Sequence, residues 1–196
     1  MRIYGDLASG NCLKVKWLCD ALSLPYQWVA VDTMKGESRT PEFLALNPAG
    51  QVPVVVLDDG RPLAQSNAII RYLGRDSDLV PRDPYLAARM DAWLFWEQYS
   101  HEPYIAVCRY QMLYLGKPAS ARDPVRVERG HAALALMDRH LAVSPFLVDD
   151  RCSLADVALL AYTRVAPEGG FALGGYPAVQ RWIAASERAL GLPAAV

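Results

Sequence analysis

Asn47-Pro48-Ala49-Gly50-Gln51-Val52-Pro53-Val54-Val55-Val56-Leu57-Asp58-Asp59-Gly60 is the stretch from which the rest of the chain can be laid out. Pro48 and Gly50 mark a turn. Val54 to Leu57 is a short, β-branched, apolar run and predicts a strand buried on both faces. Asp59-Gly60 is a hairpin signal, so a second short strand is expected over residues 61–64. Gln65-Ser66-Asn67 offers helix N-cap side chains ahead of the run Ala68 to Leu73. Pro53 donates no ladder hydrogen bond, which places it at a strand start or a special turn. Taken alone, the Val52-Pro53 pair reads equally as an ordinary turn feeding a hairpin.

Working outward, Arg2-Ile3-Tyr4 predicts a strand and residues 5–10 a loop. Residues 11–22 predict a helix with Cys12, Val15, Cys19 and Leu22 along one face. Leu24-Pro25 breaks it, and residues 26–31 predict a second strand. A polar loop follows over 32–40, then a short helix over 41–46 with proline at its first position. The order β-α-β-α-β-β-α predicts an α/β layer with a mixed four-stranded sheet, its first crossover right-handed.

Composition shifts to Asp, Ser, Arg and Pro between Gly74 and Pro84, the expected linker (75–84) after a first domain over 1–74. From Tyr85 onward every long segment reads as helix, so residues 85–196 form an all-α domain. One long segment over 85–116 is expected to bend near Pro103. Asp123-Pro124 opens the next helix, with Val127, Leu134, Met137 and Leu141 as its apolar stripe. Ser153-Leu154-Ala155-Asp156 is a capping-box pattern ahead of an apolar run, and residues 177–190 form the last helix.

The 196 residues are 53% apolar and 21% charged, an ordinary globular composition. Net charge is −1, split as +1 over residues 1–75 and −2 over 76–196, which offers no basic platform for nucleic acid. No signal-like leader and no run of eighteen apolar residues is seen, so a cytoplasmic location without a membrane partner is the expectation. The cysteines at 12, 19, 108 and 152 form no Cys-x-x-Cys pair and lie near no histidine cluster, which argues against structural zinc or any other metal and against a disulfide framework.

Asn47-Pro48, Gly50-Gln51-Val52-Pro53 and Gln65-Ser66-Asn67-Ala68-Ile69, in this order, resemble the core of the glutathione S-transferase family. The resemblance runs over the whole chain, most closely over 1–74 and 153–162. It implies a thioredoxin-like first domain followed by a helical domain, and glutathione as co-substrate. It also implies a cis Val52-Pro53 bond, with the Val52 backbone pairing to the cysteinyl unit of glutathione. Gln65 and Ser66 would hold the γ-glutamyl end, Gln65 standing where the family usually has an acidic residue. Lys35 and Gln51 match positions that reach the glycyl end, and Arg39 is a further cationic candidate. The Ser153–Asp156 box opens the buried central helix of the second domain in this family, a folding role.

Ser9-Gly10-Asn11-Cys12 occupies the corner between the first strand and first helix, where amides and the helix dipole favour an anion. Bacterial members with a Ser/Thr-x-Asn arrangement are similar here, which makes Ser9 and Asn11 the candidates for stabilising a glutathione thiolate. Plain capping of the helix is the competing reading on residues alone. Tyr4 lies inside a strand and is expected to pack. Phe95, Tyr99 and Glu102 fall at offsets 0, 4 and 7 and share one helical face, to which Arg109 returns two turns later. Tyr99 and Glu102 are the candidates for contacting a small electrophile between the domains, whereas Trp93 and Trp96 read as packing residues. The expected activity is conjugation of glutathione to an electrophile or reduction of a peroxide by a homodimer. Its alternatives are a disulfide reductase working through Cys12 and a non-catalytic glutathione-binding module.

Overall fold

The computed structural model describes residues 1–194, which divide into one unit over Met1–Ser77 and another from Asp78 onward. The first holds strands β1 (Arg2–Gly5), β2 (Gln27–Ala30), β3 (Val54–Val56) and β4 (Pro62–Ala64). Its helices are α1 (Gly10–Ala21), α2 (Pro41–Leu46) and α3 (Ser66–Leu73). The sheet order is β2-β1-β3-β4, with β1 parallel to β2 and the other two pairings antiparallel. Val55 lies opposite both Ile3 and Leu63, so β3 is a central strand. All three of its valines are buried, as a strand covered on both faces requires.

Each element has a local cause. The α1 stripe of Cys12, Val15 and Cys19 is fully buried, and Leu18 joins it. Thr40 caps α2 by accepting from the Phe43 N–H, and Pro41 sits where the missing N–H costs nothing. Phe43 of α2 packs with Val31 and Val54, and Tyr4 meets its ring edge-on. Tyr4 is therefore a packing residue. Tyr26, expected in β2, instead gives its hydroxyl to Asp20.

The second unit consists of α4 (Pro84–Trp96), α5 (Glu102–Leu113), α6 (Pro124–Leu141), α7 (Leu154–Thr163) and α8 (Pro177–Ala189). Asp83 and Asp123 each accept from amides of the helix they precede, and each is followed by proline at the first helical position. The long segment breaks as a π-helical turn, Glu97–His101, just ahead of Pro103. In an unbroken α-helix the proline ring would strike the carbonyl of Tyr99 and remove its hydrogen bond. The wider turn relieves both. One consequence corrects the sequence reading: the shared face of Phe95, Tyr99, Glu102 and Arg109 assumed 3.6 residues per turn throughout and does not carry across the π turn. Arg109 is turned to Glu168 instead.

Every residue of α7 is buried, and Asp156 organises its start. The carboxylate accepts from the Ser153 N–H at 2.8 Å, the Ser153 hydroxyl at 2.9 Å, the Leu147 N–H at 3.0 Å and the Trp182 indole at 2.7 Å. Burial still pushes its pKa up, against the effect of these donors. Asp138 of α6 does similar service for α8, which begins Tyr176-Pro177 with no capping side chain of its own. It accepts from the Ala178 and Val179 amides at 2.7 and 3.0 Å. No helix among the described residues is long and apolar enough to cross a membrane.

Asp156→Ala strips the acceptor from several buried donors, each costing about 1–3 kcal/mol when left unsatisfied. The expected loss is therefore about 3 kcal/mol or more, read as a lower urea midpoint for the helical unit by circular dichroism. A shift worth under about 1 kcal/mol would show that Asp156 does not anchor α7.

Candidate functional site

Three backbone features of the first unit converge on one chemistry. The first is the turn ahead of β3. Asn47 is buried, and its side chain donates to the Gln51 carbonyl at 2.8 Å and accepts from the Ala49 N–H at 3.2 Å. The turn closes with the Gly50 N–H on the Asn47 carbonyl at 2.9 Å. The Val52-Pro53 bond is cis. Ladder pairing with β1 begins only at Val54, and neither the N–H nor the C=O of half-buried Val52 bonds to another described residue. A half-buried donor and acceptor on one residue call for a partner from outside the chain.

The second feature is the β4–α3 junction. Gln65 has φ 71° and ψ 110°, an uncommon conformation for a side chain without special reason to be there. It leaves the amides at the start of α3 pointing out of the helix with Gln65 itself exposed. Ser66, the first residue of α3, is buried. Its hydroxyl donates to Asn11 Oδ1 at 3.0 Å and accepts from Lys14 Nζ at 3.5 Å. Lys14 Nζ also reaches Asn67 Oδ1 at 3.3 Å. Lys14 is fully buried, so a cation lies beneath an amide-rich helix start. Sequence reasoning missed Lys14. Its signal was the spacing from Asn11, three residues along α1 and therefore on the same helix face.

The third is the β1–α1 corner. Ser9 is the N-cap residue of α1 by backbone geometry (φ −84°, ψ 121°), yet its hydroxyl caps no helix amide. Asn11 Oδ1 accepts from the Ser66 hydroxyl on α3. Plain capping therefore does not account for the Ser9 side chain. Cys12 is fully buried beneath them, accepting from the Asp6 N–H at 3.4 Å. The space around it is closed: a Cβ at Gly5 would come within 2.8 Å of the Trp28 ring and 3.1 Å of the Cys12 sulfur. Burial pushes the Cys12 pKa up to about 11, overriding the lowering effect of hydrogen bonds from Asp6 and Ser9. Cys19 is pushed up to about 12 for the same reason.

The structure thus joins Asn11 and Ser66 directly, and Ser9 to the same corner. Val52 and Pro53 form the adjoining turn in sequence. Gln51 is exposed, its carbonyl held by Asn47. Lys35 is a largely exposed loop residue paired with Asp32 at 2.9 Å, a solvated ion pair. Arg39 donates to the Ala49 carbonyl at 3.0 Å. Tyr99 and Glu102 belong to the helical unit. Tyr99 is 82% exposed in the π turn, and Glu102 is half-buried at the start of α5.

A backbone donor–acceptor pair, an amide-rich helix start over a buried cation, and a hydroxyl–amide corner together suit a peptide that carries a carboxylate and an anionic sulfur. Comparison with known proteins agrees. Residues 8–76 match the family described as glutathione S-transferase, N-terminal domain, and residues 98–188 match its C-terminal domain. Glutathione S-transferase 3 of Zea mays is 32% identical over 194 residues, covering 93% of this chain and 86% of its own. A crystal structure of a glutathione S-transferase from Pseudomonas fluorescens Pf-5 is 46% identical, with a TM-score of 0.92 over 95% of this chain and 94% of that one. Another from Xanthobacter autotrophicus Py2 is 41% identical, with a TM-score of 0.93 over 99% and 96%. On the site, the fold and both matched domains, the chain belongs to the glutathione S-transferase family.

Proposed function

We propose that this protein is a glutathione transferase that works by stabilising the thiolate of bound glutathione, with Ser9 as the principal donor and Asn11 as its neighbour. The observation that carries the reading is the division of labour at the β1–α1 corner. The one thiol there, Cys12, is buried with its pKa held near 11, while the Ser9 hydroxyl has no capping duty. At neutral pH a group of that pKa is thiolate on the order of one part in ten thousand. Family membership supports glutathione-dependent transfer in general, and the inert Cys12 favours transferase chemistry over disulfide reduction through this residue.

The chemistry asked of the site is modest. A free thiol of pKa ~8.5 is only a few per cent ionised at neutral pH. A hydrogen bond to a charged acceptor is worth ~1.5–3 kcal/mol, which lowers that pKa by roughly one to two units. Bound glutathione then becomes substantially thiolate without a general base. In this reading the cysteinyl backbone of glutathione pairs with Val52, next to Pro53. The γ-glutamyl carboxylate meets the start of α3 at Ser66 over Lys14, and the Gln65 side chain takes the γ-glutamyl amine. Gln51 and Lys35 are the candidates nearest the glycyl end in the family pattern. Within the helical unit, Tyr99 and Glu102 are the electrophile candidates.

The chain is proposed to act as a homodimer. Along α4 and its π turn, Tyr85, Phe95 and Tyr99 are 70%, 76% and 82% exposed, with Ala88 and Ala92 exposed between them. Three large aromatics exposed along one helical segment are more than a lone monomer ordinarily shows.

Ser9→Ala is expected to lower conjugation of a chloro-dinitrobenzene probe by about tenfold or more, the rate equivalent of one to two pKa units. The rate–pH limb should move up toward ~8.5 as the bound thiol regains its ordinary pKa. Cys12→Ala should leave turnover nearly intact, and the opposite pattern in these two variants would establish the disulfide-reductase reading instead. Ser66→Ala should weaken glutathione by roughly 1–3 kcal/mol by calorimetry, since it removes a site contact and the partner of Asn11. Unchanged affinity would place the ligand elsewhere. Light scattering should give about twice the 21.6 kDa chain mass, and Phe95→Glu should reduce it toward the monomer. A wild-type monomer at micromolar concentration refutes the dimer.

A further inference from the structure

We infer that Arg39 is a positioning residue, a strut that holds the Ala49–Gln51 turn so that the Val52 backbone pair stands ready for the peptide, rather than a charged ligand of the glycyl carboxylate. The inference rests on the reading of Val52 as the glutathione backbone site.

The turn is tied at nearly every peptide. Asn47 takes the Ala49 N–H and gives its amide to the Gln51 carbonyl, and the Gly50 N–H bonds back to the Asn47 carbonyl. These ties all come from one residue within the turn. Arg39 supplies the tie from outside it, through Nη1–H to the Ala49 carbonyl at 3.0 Å. It reaches there from a short 3-10 turn, residues 37–39, anchored by buried Ser38 and by the Arg39 N–H on the Gly36 carbonyl at 2.8 Å.

Gly50 shows how closely the guanidinium lies. Its φ is +62°, which already favours glycine. A Cβ there would also stand 2.4 Å from Arg39 Nη1, 2.8 Å from its Cζ and 3.0 Å from the Ser38 carbonyl. The flat guanidinium is laid against the bare Cα while one N–H bonds the neighbouring carbonyl, a combination that suits arginine's planar fork. No carboxylate among the described residues pairs with Arg39, so nothing competes for it. A charged donor on a neutral carbonyl is the stronger kind of hydrogen bond. Past Gln51 the ties stop, and Val52 is the first residue of the turn whose backbone groups are both unclaimed.

A strut and a carboxylate ligand predict different things for glutathione and for its glycyl ethyl ester, which lacks the terminal charge. With Arg39→Gln in the full chain, KM for glutathione should rise about fivefold to tenfold, with kcat at saturation within about twofold of wild type. The ester should show the same relative rise. In the ligand-free protein, amide hydrogen exchange at Ala49 and Gly50, whose N–H groups are bonded within the turn, should quicken by about tenfold or more as the turn loosens. A rise in KM that vanishes with the ester would make Arg39 a carboxylate ligand and overturn the inference. So would an unchanged KM, or unchanged exchange in the turn. Wild-type protein that fails to bind glutathione would defeat the functional reading, and the exchange measurement would still decide whether Arg39 braces the turn.

Discussion

A strand buried on both faces leaves little freedom to the turn that feeds it. Val54, Val55 and Val56 fill the centre of the first unit, between β1 and β4. Burying side chains of this kind contributes roughly 1.5–3 kcal/mol each, so slipping the strand by one residue to suit the turn is costly. The turn must therefore adjust to the strand. It does so by tying its peptides to Asn47 and Arg39, and by entering β3 at a proline that has no ladder hydrogen to give. What remains is one residue, Val52, with a donor and an acceptor left over. The unpaired backbone of Val52 is thus a by-product of how the core strand is entered.

Burial also decides which side chain at the neighbouring corner can do chemistry. Cys12 and Ser9 lie three residues apart and touch, yet the protein environment treats them oppositely. Cys12 belongs to the apolar stripe of α1 and is closed in by Gly5 and Trp28, so its charged form is disfavoured. Ser9 stays at the mouth, half-buried, with its hydroxyl free of any helix amide. The corner thus keeps its own sulfur protonated and leaves the Ser9 hydroxyl free of helix capping.

The helical unit repeats the same economy with a carboxylate. Asp156 is buried at a desolvation cost, and it offsets that cost by receiving donors from its own helix start, from the segment before it and from Trp182 of α8. Asp138 ties α6 to α8 in the same way. Polar side chains here act as joints between apolar helices, whose packing alone specifies direction only loosely.

Much of this was legible in the residues. The alternation of strand and helix, the proline-started helices at 41 and 124, the buried valine strand and the apolar stripe of α1 all follow from local propensity and period, which act over a few residues at a time. The motif around Val52-Pro53 and Ser66 carried the family, and with it Ser9 and Asn11. Three things depended on tertiary structure. The π turn before Pro103 broke a helical face that counting residues had joined, because the period itself changed. Lys14 became a buried cation under Ser66 only when α1 and α3 packed side by side, bringing together residues more than fifty positions apart. Arg39, a cationic candidate for the glycyl end in the sequence, meets the Ala49 carbonyl of the turn in the fold. A side chain's spacing along the chain says which face it shares, but what meets that face is set by long-range packing, and that is where the site was completed.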